Sequence, residues 1–215
     1  MIPIYKGREP NELLQYRKLP DSSYGSMRSD VKMAIKRQLL DEQGGLCAYC
    51  MSRLPDLDGD YLDNRVTIEH WSPQNPYAGG RSCNPLDYRN MLAVCNGNRG
   101  YRHGELTCDA AKGNKSITVC PLSDETLVGI YYTAGGKIHS SNAEIEEDLT
   151  VTLNLNCEAV SLPENRRAAL HAMRRDITKK CSGKQKTRTY MKTLLTRYEA
   201  DAIKNTPYVG ILIYW

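Results

Sequence analysis

Four short stretches of the chain carry residue types with chemistry to offer. Cys47-Ala48-Tyr49-Cys50 is a C-x2-C, Glu69-His70 sets an acid beside a base, Asn90 precedes a short apolar run, and Cys108-Asp109-Ala110-Ala111-Lys112 joins a thiol, a carboxylate and an amine. Two thiolates two residues apart can face one ion when the turn between them folds as a knuckle. Gly44-Gly45 lies just upstream and frees the backbone for that turn. A closed tetrahedral site needs a second thiolate pair. Cys95 ends a strand candidate and Cys108 opens a helix candidate, so Cys47, Cys50, Cys95 and Cys108 are the expected ligands of one structural Zn2+. The second pair is spaced C-x12-C, and His103 or Cys83 stands as an alternative for one of its members. A redox C-x2-C needs a βαβ setting that the surrounding sequence does not offer. Cys120, Cys157 and Cys181 read as small buried apolar residues.

These residues need elements to hold them. Val66 and Ile68 alternate with polar residues over 65–70, and 91–95 is a second apolar run, giving two strands. Pro73 and Pro76 end the first strand near His70. A short helix over 105–113 places Asp109 and Lys112 on one face. Upstream, a short helical stretch covers 9–17 and a stronger helix 30–43, with Ser29 or Asp30 as N-cap. Downstream, 126–133 and 137–140 flank Ala134-Gly135-Gly136 as a β-hairpin. Ser161-Leu162-Pro163-Glu164 reads as a capping box opening a helix to Lys180, and a further helix spans 186–205. The expected fold class is α+β.

In order, C-x2-C, E-H-x-x-P, N-x-L-x-x-C and C-D-x-x-K-G-N resemble the HNH, or ββα-metal, endonucleases. With Leu46–Cys50, Leu86–Asn90 and Leu162–Arg166, the chain looks like the PtuB-type HNH nucleases of Septu and retron anti-phage systems. The specific motifs lie within 46–114. The resemblance implies a zinc-stapled HNH core over 46–114, an N-terminal helical extension over 1–45, and a β-hairpin with basic helices over 115–215, packed as one unit. It implies His70 as the general base, Glu69 and Asp109 as ligands of a catalytic Mg2+ or Mn2+, Asn90 as the residue holding the hairpin loop, and Lys112 as a phosphate contact. DNA is the implied substrate. The implied partners are a PtuA-like ATPase and, in retron versions, a reverse transcriptase with its DNA. A homodimer within a larger complex also fits that setting.

The residue chemistry supports the same direction. An imidazole of ordinary pKa, about 6.5, suits the activation of water near neutral pH. Carboxylates suit a hard divalent ion, which can carry the charge developing on a scissile phosphate. Alone, His70 would be a satisfied strand-end histidine, Glu69 and Asp109 solvated carboxylates, and Asn90 a turn residue. A non-catalytic zinc module that binds nucleic acid or protein is therefore the competing expectation, and a toxin-type nuclease acting on RNA is a third.

Composition sets the outer bounds. With 215 residues, 40% hydrophobic and 25% charged, the chain is long enough for a sizeable core and unlike a disordered polymer. Its longest apolar run, 208–215, is far below the ~20 residues of a membrane span, and a continuous apolar leader is absent from the first residues. A soluble, cytoplasmic protein with reduced thiols is the expectation. The formal charge of +4 conceals an asymmetry: 161–205 holds 12 Lys/Arg against 4 acids, a net of +8, while 121–150 holds 1 Lys against 6 acids, a net of −5. A basic helical pair suits a nucleic-acid backbone, an acidic protein face, or plain solvation.

Overall fold

A computed structural model describes residues 1–57, 65–75, 83–181, 183–201 and 206–215. The site rests on two antiparallel strands, β1 (Val66–His70) and β2 (Met91–Cys95), in the register Val66↔Cys95, Ile68↔Ala93 and His70↔Met91. Almost every residue of both strands is buried, so simple in-out alternation is lost. The cause is that helices pack on the pair: α2 (Ser29–Glu42) and α3 (Cys108–Lys112). Helix α1 (Asn11–Tyr16) buries Leu13 and Tyr16 beside α2.

Helix α2 turns Val31, Met33, Ile35 and Leu39 inward. Its N-cap position is Arg28, and no side chain caps it, so neither Ser29 nor Asp30 plays the expected role. Arg28 instead pairs with the Asp30 carboxylate in solvent. At the other end Gly44 and Gly45 both adopt left-handed backbone, with φ of 61° and 68°. Two such residues in succession turn the chain sharply into Leu46, where side-chain-bearing residues would be strained.

Downstream, a helical turn, α4 (Asp124–Leu127), precedes a hairpin of β3 (Ile130–Tyr132) and β4 (Ile138–Ser140). The hairpin is shorter than expected, because 124–127 coil rather than extend. Helix α5 (Ala143–Glu147) follows, with Asn142 accepting from the amides of Glu144 and Ile145, and passes into a wide π-turn over 148–152. Neither was anticipated from sequence.

Helix α6 (Leu162–Lys180) begins with Pro163 in its first turn, as expected, yet the capping box fails. Ser161 sits at φ +54° and makes no cap bond, and Glu164 reaches Arg167 instead. The reason is the neighbouring turn: a Cβ on Gly136 would lie 2.0 Å from the Pro163 carbonyl oxygen, and Arg166 donates to the Gly136 carbonyl at 3.2 Å. Helix α7 (Lys184–Asp201) starts two residues earlier than expected, and its expected extension over 202–205 lies outside the described residues. The apolar run near the end forms α8 (Val209–Tyr214), which packs Val209 against Leu46 and Met51.

The result is a mixed α+β fold with two small sheets and a cluster of four cysteines. One connected set of buried apolar side chains draws on residues of 1–45, 46–114 and 115–215 alike, from Leu13 and Ile35 through Leu92 and Val94 to Leu149 and Leu170. Among the described residues, no helix is long and apolar enough to cross a membrane.

Candidate functional site

The thiols lie together at the Cys95 end of the hairpin. Cys47 and Cys50 are presented by a knuckle in which the Met51 amide donates to the Cys47 carbonyl at 3.0 Å and the Cys47 amide to Ser52 at 2.9 Å. Met51 takes φ +63° to close it. Cys95 ends β2, and Cys108 opens α3 at φ +53°. Sγ–Sγ separations are 3.9 Å for Cys47–Cys108, 3.9 Å for Cys50–Cys95 and 3.7 Å for Cys95–Cys108. All four sulfurs fall within 4.8 Å of one another, and none is in a disulfide.

Sulfurs about 2.3 Å from a tetrahedral zinc are about 3.8 Å apart, so the quartet could hold a metal such as zinc. Burial pushes the Cys47 thiol up, and hydrogen bonding among the sulfurs pushes Cys108 up, while the same bonds draw Cys50 well down. Neither alternative ligand takes part: His103 is exposed, and Cys83 lies beside Asn90.

Two unanticipated supports hold this end. Gln43, buried after α2, donates to the carbonyls of Leu46 at 2.8 Å and Ala93 at 2.7 Å, and accepts from the Ala93 amide at 2.8 Å. It bolts the glycine turn to the middle of β2. Gly97, at φ +61°, lets the 96–107 loop close on itself; a Cβ there would meet the Thr107 carbonyl oxygen at 2.2 Å.

The other expected residues gather on the same hairpin and helix. Glu69 and His70, though adjacent in β1, are both 5% exposed, since the strand is covered on both sides. Lys112, only 1% exposed, donates from Nζ to Glu69 Oε1 at 2.7 Å and to the His70 carbonyl at 3.2 Å. The ammonium points into the protein, where it fixes Glu69 and the end of β1. Glu69 also has the Asp109 carboxyl as a neighbour, and Tyr49 Oη donates to Glu69 Oε1 at 3.1 Å. Burial, then the Asp109 neighbour, pushes the Glu69 carboxyl up to about 8, with Lys112 opposing. Asp109 is paired with Arg99, which also reaches Thr67. Asp109 and Lys112, both on α3 as expected, thus take separate ion-pair partners.

His70 is held at both ring nitrogens. Nε2 lies 2.9 Å from the Pro85 carbonyl oxygen, an acceptor, so Nε2 carries the proton there. Nδ1 then accepts from Gln74 Nε2 at 3.0 Å. The Tyr24 ring meets the imidazole edge-on at 4.7 Å. Burial holds His70 below its ordinary value, which favours the neutral ring. Asn90 clamps the segment beyond it: Oδ1 accepts from the Ser72 amide at 2.8 Å and Nδ2 donates to the Ser72 carbonyl at 2.9 Å. Trp71 turns inward and donates to the Val119 carbonyl at 2.8 Å.

Tyr49, Gln74 and Arg99 were invisible in the sequence as site residues. Tyr49 sits inside the C-x2-C and serves a carboxylate 20 positions on, a link that only folding makes. Among the described residues, the thiol quartet is the one group of three or more His, Cys, Asp and Glu side chains placed to hold a metal ion. Comparison with protein-family models and with curated proteins finds no match for this chain.

Proposed function

We propose that the chain is a metal-dependent endonuclease of the HNH type that hydrolyses DNA phosphodiester bonds. The observation that supports this best is the convergence of an acid, a neutral imidazole and a second acid on one antiparallel hairpin and the helix after it. Glu69, His70 and Asp109 all lie on these elements, which also carry two thiols of the quartet with zinc-like spacing. In this reading the quartet holds structural zinc and keeps β2 and α3 in place. The carboxylates of Glu69 and Asp109, neighbours between β1 and α3, are the oxygen donors that suit Mg2+ or Mn2+. Such an ion, when bound, supplies charge stabilisation at the phosphate and the departing 3′ oxygen.

The remaining work falls to the chain's own groups. Pro85 fixes the tautomer of His70, so Nδ1 is the basic nitrogen, and water replacing Gln74 there can surrender a proton to it. Asn90, by gripping Ser72, keeps the end of β1 and hence the imidazole in position. Lys112 and Tyr49 orient Glu69. The regulator in this reading is a PtuA-like ATPase of an anti-phage defence system, joined in retron versions by a reverse transcriptase and its DNA.

The test is His70→Ala in a supercoiled-plasmid assay with Mg2+ or Mn2+. Cleavage should fall by about 10²–10⁴-fold, with zinc content unchanged and the chain still folded. Equal cleavage by the variant at matched purity would overturn the assignment, and parallel RNA substrates separate a toxin-type nuclease. One observation favours the second reading, a non-catalytic zinc module that binds nucleic acid or protein. Glu69 and both nitrogens of His70 are already answered within the fold. Nucleic-acid affinity without any divalent-ion effect or product ends would select it.

A further inference from the structure

Away from the hairpin, two apolar hollows lie side by side where α7 meets α8. The first is a groove of about 750 Å3 among α6, α7 and α8. Its walls include Met191, Leu195, Tyr214 and Trp215, all between 39% and 49% exposed. Arg188 and Lys192 stand among them and form no ion pair among the described residues. The second hollow, about 470 Å3, is lined by Leu127 and by Val128, which is 75% exposed. Its charges are acidic: Asp124 and Glu199. Ile213 lines both hollows and therefore marks their common border.

We propose that this face pairs with a second copy of the chain about a two-fold axis passing by Ile213. An axis lying in the interface and crossing that border lays the basic-edged groove of each copy over the acid-edged hollow of the other. Ile213 then meets its own counterpart. That reciprocity is what an isologous interface requires, since one surface must complement itself. Large exposed side chains gathered in two adjoining hollows are the kind of surface a monomer rarely leaves to water. The flanking charges set register and exclude wrong partners.

Other occupants fit half of this face only. An acidic protein segment that fills the groove would bring its charge against Asp124 and Glu199 nearby. A nucleic-acid backbone would meet the same acids and an apolar floor. The pairing does not depend on the nuclease reading, because none of these residues belongs to the hairpin site.

Sedimentation of the full chain with its metal complement provides the test. The wild type should sediment near twice 24.3 kDa at tens of micromolar, and the association should weaken with added salt. Arg188→Glu with Lys192→Glu should give monomers, as should Asp124→Lys with Glu199→Lys, each weakening association by about tenfold or more. Mixing the two variants should restore a dimer, because each then offers the charge that the other lacks. That recovery also shows that both variants fold. A wild type that remains monomeric, a dimer indifferent to the reversals, or reversals that mixing does not rescue would each overturn the proposal.

Discussion

The two ends of the β1–β2 hairpin use the same strands and the same helix for opposite electrostatic purposes. At the Cys95 end four thiols face one another, with few other polar groups to answer them. At the His70 end nearly every charge has a counterpart: Lys112 on Glu69, Arg99 on Asp109, Gln74 and Pro85 on His70. The first arrangement has the spacing to hold a cation. The second is complete as it stands. A single short helix links them, beginning at Cys108 in one and reaching Asp109 and Lys112 in the other.

The sharpest way to break this contrast is to remove the cation from the first end. Cys108→Ser, or a strong zinc chelator, should abolish bound zinc and unfold the chain. Structural zinc in small modules contributes on the order of 10–16 kcal/mol, which matches or exceeds a typical domain stability of ~5–15 kcal/mol. Metal analysis with a thermal melt checks it, and a melt unmoved by the chelator would mean the quartet needs no ion.

Next in size is the buried pair at the other end. Lys112→Met leaves Glu69 without its ammonium and should cost about 3–5 kcal/mol in denaturant titrations above pH 8, where the carboxyl must ionise, and less at neutral pH, where it takes up a proton. Adding Glu69→Gln should restore much of that loss, because the double variant buries no unmatched charge. A single variant as stable as the wild type would show that Glu69 is already neutral or hydrated there.

Gln43→Ala tests the support beneath the thiols. It orphans the Ala93 amide and the Leu46 carbonyl, while the Ala93 carbonyl keeps the Ala48 amide, for an expected loss of about 1–3 kcal/mol. Hydrogen exchange should localise the damage to Ala93 and the knuckle. The smallest stability effect should come from Asn90→Asp, which keeps the acceptor for the Ser72 amide but loses the donor to its carbonyl. About 1 kcal/mol is expected, with a larger loss of cleavage than of stability if His70 depends on that clamp.

Much of this was legible beforehand because local rules carried it. The run Met91–Cys95 and the start of α6 at Leu162 follow from apolar patterning and a first-turn proline, and the glycine pair after α2 stops that helix. The quartet was legible because thiols rarely cluster without cause in a reducing setting. Capping was not: Ser161 and Ser29 have the right chemistry, but the Gly136 turn and the Asp30–Arg28 pairing take precedence. The π-turn over 148–152 escaped because Asp148 is bent toward the amides of Thr118 and Val119, some thirty residues away.

The sequence by itself determined the residue types and their order: which thiols, which acids, which imidazole, and the elements that carry them. Tertiary structure decided their partners. Lys112 pairs with Glu69 because α3 packs against the β1–β2 hairpin and turns the amine inward, where that carboxyl and the His70 carbonyl satisfy it. Tyr49 became part of the carboxylate site because the knuckle folds over the strand. Spacing sets what a residue can do, but burial, which removes water as the alternative partner, sets whom it must do it with.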